Sequence, residues 1–420
     1  METTMRQILV SVAGKDAPGI TLTLTGIIAD AGAALLDIEQ VVVRGQATIM
    51  LLIGVEGEQT RGSPVVRDLL FAAKELGLEL DFKVQDDTSI DSPASEDRPR
   101  YAVTIIGDAI DARLIHEVST VLFEHQANIE VIRRLSDRTL ASLEVEVSLP
   151  PGTKRASSWA GGPPGDDKAY IALRKALLSL AVSRGVDIAL QRETLTRRSK
   201  RLVVMDMDST LIQIEVIDEL ARAYGVYDAV AEITNRAMSG AMNYEESLRA
   251  RVALLAGMPM SLALDIASRL PVTEGAEELL RVLRGLGYKT AVISGGFSFA
   301  AEVLRQRLGL DYAFSNQLEV KDGHLTGRVF EPIVGPQRKA DLLDALAQRE
   351  GIPLEQTIAI GDGANDLLML EKAGLGIAFH AKPRLREAAD TSLSSGGLDR
   401  ILYLLGLRAR DVRELPGVRL

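Results

Sequence analysis

The sequence predicts an α/β protein in three domains: two small βαββαβ units in tandem, then an open parallel sheet flanked by helices and carrying a small helical cap. Three observations lead to this. The chain has 420 residues, more than one hydrophobic core usually serves. A six-element pattern of strands and helices occurs twice in its first half. Beyond the basic run Arg197–Arg201, short apolar runs alternate with helical segments, which is the signature of a parallel sheet with both faces covered.

The first unit, residues 1–86, has strand Arg6–Ala13, helix Gly19–Ala31, strands Leu35–Val43 and Ala47–Val55 joined by Gly45-Gln46, helix Val65–Leu76 and closing strand Glu79–Val84. This order is ferredoxin-like. A polar stretch rich in Asp, Ser and Pro, Asp86–Arg100, reads as a linker. The order then recurs over residues 98–194: strand Tyr101–Ile106, helix Ala112–Gln126, strands Ile129–Leu135 and Leu140–Val147, helix Ala169–Ser183 and strand Val186–Gln191. The Pro/Gly/Ser-rich segment Pro150–Asp167 is a loop inserted in this second repeat. In the third domain, residues 200–410, strands are expected at Leu202–Met205, Lys289–Ile293, Thr357–Ile360 and Gly376–Phe379, giving a Rossmann-like sheet with ligands at the carboxyl ends of its strands. The mostly helical block at about 215–270 interrupts the strands early and should cap the sheet.

Composition narrows the function. Hydrophobic residues at 46% and charged residues at 25% are those of a globular protein. With Lys+Arg 48 against Asp+Glu 58 the net charge is -10, so nothing invites a polyanion, and nucleic acid is not an expected partner. The absence of cysteine removes disulfides and thiolate metal sites, so a metal must be held by oxygen or histidine. Met1–Gln7 lacks the charged-then-apolar signal pattern, and the apolar stretch Val41–Val55 is broken by Arg44 and Gln46 and too short to span a bilayer. A cytoplasmic protein with no membrane contact is expected.

The chemistry concentrates at strand ends. Asp206-Met207-Asp208-Ser209-Thr210 follows the first strand of the sheet, and extended geometry would point both carboxylates the same way. One carboxylate can attack phosphorus while the other supplies a proton to the departing oxygen. Ser294-Gly295-Gly296 follows the second strand, with a hydroxyl and unhindered backbone N–H groups for phosphate oxygens. Lys339 opens a helix and can neutralise developing charge; Gly361-Asp362-Gly363-Ala364-Asn365-Asp366 follows the third strand and can complete an oxygen-rich Mg²⁺ site with Asp206. Taken singly, Ser294 or Asp366 could cap a helix and Lys339 could be a solvated helix residue.

In this order the motifs D-x-D-x-T, S/T, K and G-D-x-x-x-D resemble the haloacid dehalogenase (HAD) superfamily over roughly Leu202–Gly406. Asp206–Thr210, Ile293–Phe297, Gly361–Asp366 and the segment Tyr244–Val252 resemble the phosphoserine phosphatases in particular. The resemblance implies hydrolysis of O-phospho-L-serine, the last step of L-serine synthesis. Asp206 would be the nucleophile and Asp208 the acid and then the base. Mg²⁺ would be held by Asp206, the backbone carbonyl of Asp208 and Asp362, with Asp366 behind them and Asn365 near the phosphoryl group; Thr210, Ser294, Gly295 and Lys339 would line the phosphate.

An amino-acid phosphate also needs one acid for its ammonium and one base for its carboxylate. Glu215 and Arg251 match the family's substrate positions, with Tyr244 and Met242 as cap walls; on the residues alone, Arg251 could lie on a solvated helix face and Glu215 in a first helical turn. In the first repeat, Lys15-Asp16-Ala17-Pro18-Gly19-Ile20 resembles the amino-acid-binding turn of ACT domains, which makes Asp16, Gly19 and Ile20 an expected site for L-serine as effector; a plain turn permitted by Gly19 is the other reading. The second repeat has Gly107-Asp108-Ala109-Ile110-Asp111 there and lacks the Pro-Gly step, which suits scaffolding. ACT domains form symmetric contacts, so a homodimer is expected. Two rival functions remain open: a phosphatase for a phosphoprotein or another small phosphomonoester, and an amino-acid-sensing regulator with an inactive phosphatase domain.

Overall fold

The computed structural model describes residues 5–56, 63–85, 98–137, 139, 141–150 and 168–413. The expected linker at 86–100, except residues 98–100, and the expected loop at 150–167, except Pro150, lie outside them. The chain divides into two compact units, Met1–Asp97 and Arg98–Leu420.

In the first unit, β1 (Met5–Lys15), α1 (Ile20–Asp30), β2 (Ala34–Val43), β3 (Gln46–Glu56), α2 (Pro64–Glu75) and β4 (Glu79–Gln85) follow the expected order. The sheet is antiparallel, in the order β2-β3-β1-β4. Period-2 alternation sends Ile8, Val10 and Val12 of β1 and Ile49, Leu51 and Ile53 of β3 to one face, where they pack on α1 and α2. The hairpin between β2 and β3 turns on Arg44-Gly45 rather than the expected Gly45-Gln46. Both turn residues have positive φ (50° and 76°), as a two-residue hairpin twisting with its strands requires, and Gln46 already pairs with Val43. Gly19 precedes α1 with φ 100°, which an L side chain rarely adopts, and a Cβ there would meet open space.

The second unit opens with β5 (Arg100–Ile106), α3 (Ala112–Glu124), β6 (Asn128–Arg134), β7 (Ser142–Ser148), α4 (Lys168–Arg184) and β8 (Asp187–Arg192). Its sheet order, β6-β7-β5-β8, repeats that of the first unit strand for strand. Tyr101, Val103, Ile105, Val145 and Val147 face α3 and α4, while Ile106 and Ala189, on the opposite face, join the core of the parallel-sheet domain. The strands β5, β7 and β8 are therefore buried on both faces, while the edge strand β6 is not. On β8 the Asp187 carboxylate accepts from Ser394 N at 2.9 Å, and Gln191 Nε2 donates to Leu404 O at 3.0 Å. In the basic run that the sequence places at the domain boundary, Arg197 and Lys200 are buried while Arg198, Ser199 and Arg201 are exposed. Arg197 is 3% exposed and ion-paired with Glu144 of β7 and, at 2.8 Å, with Glu193; Lys200 Nζ donates to Glu355 O and Gly374 O.

The remaining elements are β9 (Leu202–Met205), α5 (Val216–Tyr224), α6 (Tyr227–Met238), α7 (Tyr244–Ala253), α8 (Met260–Ser268), α9 (Ala276–Gly285), β10 (Lys289–Phe297), α10 (Ser298–Leu308), β11 (Tyr312–Asn316), β12 (Leu318–Lys321), β13 (His324–Val329), α11 (Pro336–Glu350), β14 (Thr357–Gly361), α12 (Leu367–Lys372), β15 (Gly376–Phe379), α13 (Pro383–Ala388), β16 (Thr391–Leu393), α14 (Ile401–Leu404) and α15 (Ala409–Arg413). Six strands form a parallel sheet, β11-β10-β9-β14-β15-β16, with β9 inside and fully buried. Two of them, β11 and β16, are strands that short runs did not reveal in the sequence. The helices α5–α8 form the cap, joined by the β12–β13 hairpin, whose Leu325 exchanges backbone hydrogen bonds with Gly257 and Met258.

The Arg197–Glu144 pair has both side chains at 2% exposure. Arg197→Ala takes from the buried Glu144 its nearest partner and leaves it Arg198 at 3.6 Å and Arg133 at 3.8 Å, so the variant should lower the urea midpoint by less than the roughly 3–5 kcal/mol of a fully unpaired buried charge.

Candidate active site

Parallel pairing of β9 with β10 and β14 brings Asp206, Ser294 and Asp362 to the same edge of the sheet: Asp206 and Asp362 follow their strands, and Ser294 lies in β10 just past the stretch, ending at Val292, that pairs with β9. Asp206 continues the ladder, its N–H donating to Ile360 O at 2.9 Å, and its Oδ1 accepts from Met207 N at 2.7 Å. The chain then turns over Met207–Leu211, with Ser209 at φ 57°. Asp206 and Asp208 both have extended dihedrals, yet their carboxylates serve different partners. Asp206 Oδ1 lies 2.8 Å from Lys339 Nζ. Asp208 accepts from Val216 N at 2.8 Å, at the start of the cap, and from Ser294 Oγ at 3.4 Å.

Lys339, one turn into α11, is fully buried, and its ammonium also donates to Asp366 Oδ1 at 2.7 Å. Burial works against its proton, but Asp206 and Asp366 outweigh that and hold its pKa above the ordinary lysine value. The solvated-helix reading of Lys339 is thereby excluded. Asp366 Oδ2 accepts from Gly363 N at 3.1 Å, so this residue both caps its turn and anchors the lysine. Thr210, expected to line the phosphate, turns its hydroxyl to Asp362 Oδ1 at 3.1 Å, while its carbonyl accepts from Thr273 Oγ1 at 2.7 Å. It orients an acid of the cluster. Asn365 packs beside Gly363 in the same loop.

The Ser294 hydroxyl accepts from Gly296 N at 2.8 Å; α10 begins only at Ser298, so Ser294 is no helix cap. A side chain at Gly295 would strike Tyr244, and one at Gly296 would come within 2.6 Å of Asp208. Tyr244, at the start of α7, donates to Gly295 O and Val334 O at 3.3 Å each, and burial pushes its pKa up to about 12. Glu215 accepts from Ser209 Oγ at 3.0 Å. Its side chain reaches solvent, while the protein around it desolvates the carboxylate enough to raise its pKa, helped by Asp206 and Asp218 and opposed by Arg251. Arg251 is half-buried, with Nε 3.4 Å from Ser247 O, and among the described residues no ion pair joins it to Glu215. Its positive charge opposes the upward pKa shifts of Glu215 and Tyr244. Met242 is half-buried just before α7. One participant escaped the sequence reading: Asn316 at the end of β11, 1% exposed, donates to Gly295 O and accepts from Val334 N. No motif marks it.

Asp206, Asp362 and Asp366 offer oxygens within 4.8 Å of one another, a hard-oxygen set that fits a divalent cation such as Mg²⁺. The acids strain against each other. Burial, then Glu215 and Asp206, raise Asp208 well above the carboxylate range; burial, then Asp206, push Asp362 and Asp366 up to about 7.

A carboxyl whose folded pKa exceeds its unfolded value binds more protons folded than unfolded between the two values, so stability falls as pH rises through that window. Without divalent cation, these two acids should therefore cost stability increasingly from about pH 4 to about pH 7. A bound cation must displace their protons, so magnesium chloride should raise the unfolding temperature more at about pH 8 than at about pH 5.

Similarity to known proteins identifies the family. The haloacid dehalogenase-like hydrolase family matches residues 203–371, and two ACT domain families match residues 6–83 and 100–191. The chain is 41% identical to the phosphoserine phosphatase SerB2 of Mycobacterium tuberculosis, covering 96% of this chain and 94% of that protein. It is 42% identical to a phosphoserine phosphatase of Streptomyces coelicolor, covering 96% and 93%. Among solved structures, a HAD family hydrolase from Salmonella enterica serovar Typhi superposes with a TM-score of 0.61 at 30% identity, over 73% of this chain and 98% of that one. With near-complete coverage of relatives above 40% identity, the chain belongs to the phosphoserine phosphatase family, as a HAD hydrolase carrying two ACT domains.

Proposed function

We propose that the protein hydrolyses O-phospho-L-serine to L-serine and phosphate through an aspartyl-phosphate on Asp206. The observation that carries this reading is the division of labour between two carboxylates at one strand end: Asp206 bound to a buried ammonium, and Asp208 with its pKa raised by its surroundings. The Asp206 carboxylate attacks phosphorus, the bond from phosphorus to the serine oxygen breaks, and Asp208 gives that oxygen its proton. Asp208, now a base, takes a proton from the water that attacks the phosphoryl group, which leaves as phosphate and frees Asp206. Mg²⁺, when held by Asp206, Asp362 and the Asp208 carbonyl with Asp366 behind them, would offset the negative charge gathered there. Lys339, Ser294 and Gly295 meet the phosphoryl oxygens, with Asn365 beside them. Glu215 takes the substrate's ammonium and Arg251 its carboxylate, under the wall of Tyr244; such paired polar contacts reject esters that lack either group.

The same reading makes this the last step of L-serine synthesis, with L-serine acting back through the first unit and two chains pairing through their ACT domains. The start of α1 supports a ligand there: no side chain caps its amides, and Gly19 keeps the approach open near Asp16 and the buried Ile20. In the second repeat Asp111 accepts from Leu114 N at 2.8 Å, filling the corresponding place with the chain's own carboxylate.

Asp206→Asn should abolish both turnover and acid-stable trapping of phosphate, and trapped phosphoenzyme in that variant would refute the mechanism. Asp208→Asn should slow turnover by about 10²-fold or more. A panel of phosphomonoesters with and without Mg²⁺ tests the substrate; equal rates on esters lacking the amino acid part would favour a broader phosphatase. L-serine should inhibit the full chain more strongly than a chain beginning at Arg98. Identical titrations would mean that serine acts only as product at the active site.

A further inference from the structure

The turn that carries Ser294 and the segment that leads into the helix of Lys339 belong to different parts of the fold, and one side chain ties them together. Asn316 stands between them, 1% exposed. Its Nδ2 donates to Gly295 O and its Oδ1 accepts from Val334 N, both at 2.7 Å. Gly295 adjoins Ser294. Val334 adjoins Gly335, the residue before α11, whose carbonyl accepts from Lys339 N at 2.9 Å. The Asn316 amide thus connects, through two peptide groups, the turn that carries Ser294 with the backbone of the first turn of α11, from which Lys339 projects. Tyr244 donates to Gly295 O and Val334 O, so the cap rests on the same two residues.

We propose that Asn316 is a positioning residue of the phosphatase site, fixing the separation between the phosphate-binding turn and Lys339 and presenting the two carbonyls on which Tyr244 seats the cap. An amide suits this place because it offers one donor and one acceptor on a planar group. Aspartate has the same shape but, when ionised, turns an acceptor toward the Gly295 carbonyl. Catalysis by groups held in place is sensitive to shifts of about 1 Å, at a cost of up to about 10²-fold in rate.

This inference rests on the phosphatase reading above, but not on which ester is the natural substrate. The test uses the full chain with Asn316→Asp and Asn316→Ser. It measures kcat and KM on O-phospho-L-serine and on p-nitrophenyl phosphate, orthovanadate binding by calorimetry, and thermal unfolding. The expected result is a loss of about 10- to 100-fold in kcat on both esters and weaker vanadate binding, in protein that unfolds close to the native temperature. Should the aspartate variant fail to fold, the serine variant, which introduces no charge, must show the same loss. Native kcat and native vanadate binding in a folded variant would overturn the proposal, as would a loss that merely follows the unfolded fraction or is confined to phosphoserine. A wild-type chain that cleaves p-nitrophenyl phosphate but not phosphoserine would defeat the substrate assignment and leave this comparison intact.

Discussion

The site is organised around one buried ammonium. Lys339 sits at 1% side-chain exposure between Asp206 and Asp366, at 2.8 and 2.7 Å. A lone charge at that depth would be expensive, and its two carboxylates would be so as well; bonded together, each meets the other's need. The arrangement requires β9 beside β14, so that Asp206 and the Asp366 loop share an edge, and it requires α11 to end its approach within reach of both. Strand order, helix placement and catalytic geometry are therefore linked, because a shift in any of them would leave charge buried without a partner.

Much of this was legible because the chemistry follows strands. Asp206, Ser294 and Asp362 each come after a short apolar run, and a parallel sheet must bring such positions to one edge. What stayed hidden depends on contacts distant in sequence. Asn316 ends a strand too short and ordinary to notice, and its partners are 21 and 18 residues away. Thr210 belongs to a motif, but nothing local says that its hydroxyl turns to Asp362, 152 residues on. The basic run marks a domain boundary in the sequence, but nothing local says that Arg197 is buried against Glu144, 53 residues earlier. The hairpin β12–β13 was missed because its strands are short and it serves the cap rather than the main sheet.

The two repeats show how one topology can support different packing. Their strand orders are the same, yet β1 and β3 of the first unit alternate buried residues with exposed or half-buried ones, while their counterparts β5 and β7 are buried almost throughout. The difference lies in side chains, not in fold. Ile106, Asp187, Ala189 and Gln191 give the second sheet a face that fits the phosphatase domain through apolar contact and satisfied hydrogen bonds. Asp111 likewise closes the start of α3, where α1 has only Gly19. A periodicity count sees the repeat and cannot see this divergence, since both versions alternate alike.

Charge balance connects the substrate's two ends. Asp206, Asp208, Glu215, Asp362 and Asp366 crowd around a single buried lysine, and the raised pKa values of Asp208, Glu215, Asp362 and Asp366 record their mutual repulsion as well as burial. A phosphate dianion entering such a place meets an opposing field unless positive charge comes with it or is already bound. A divalent cation held among the three clustered aspartates would supply part of it, and Lys339 another part. Glu215 feels the charge of Asp206, and in the proposed complex an ammonium on the ligand beside it would relieve a repulsion that a neutral ester leaves in place. In the proposed reaction, preference for an amino-acid phosphate would then follow from the electrostatics of these acids: an ammonium beside Glu215 would also help the site accept the phosphate.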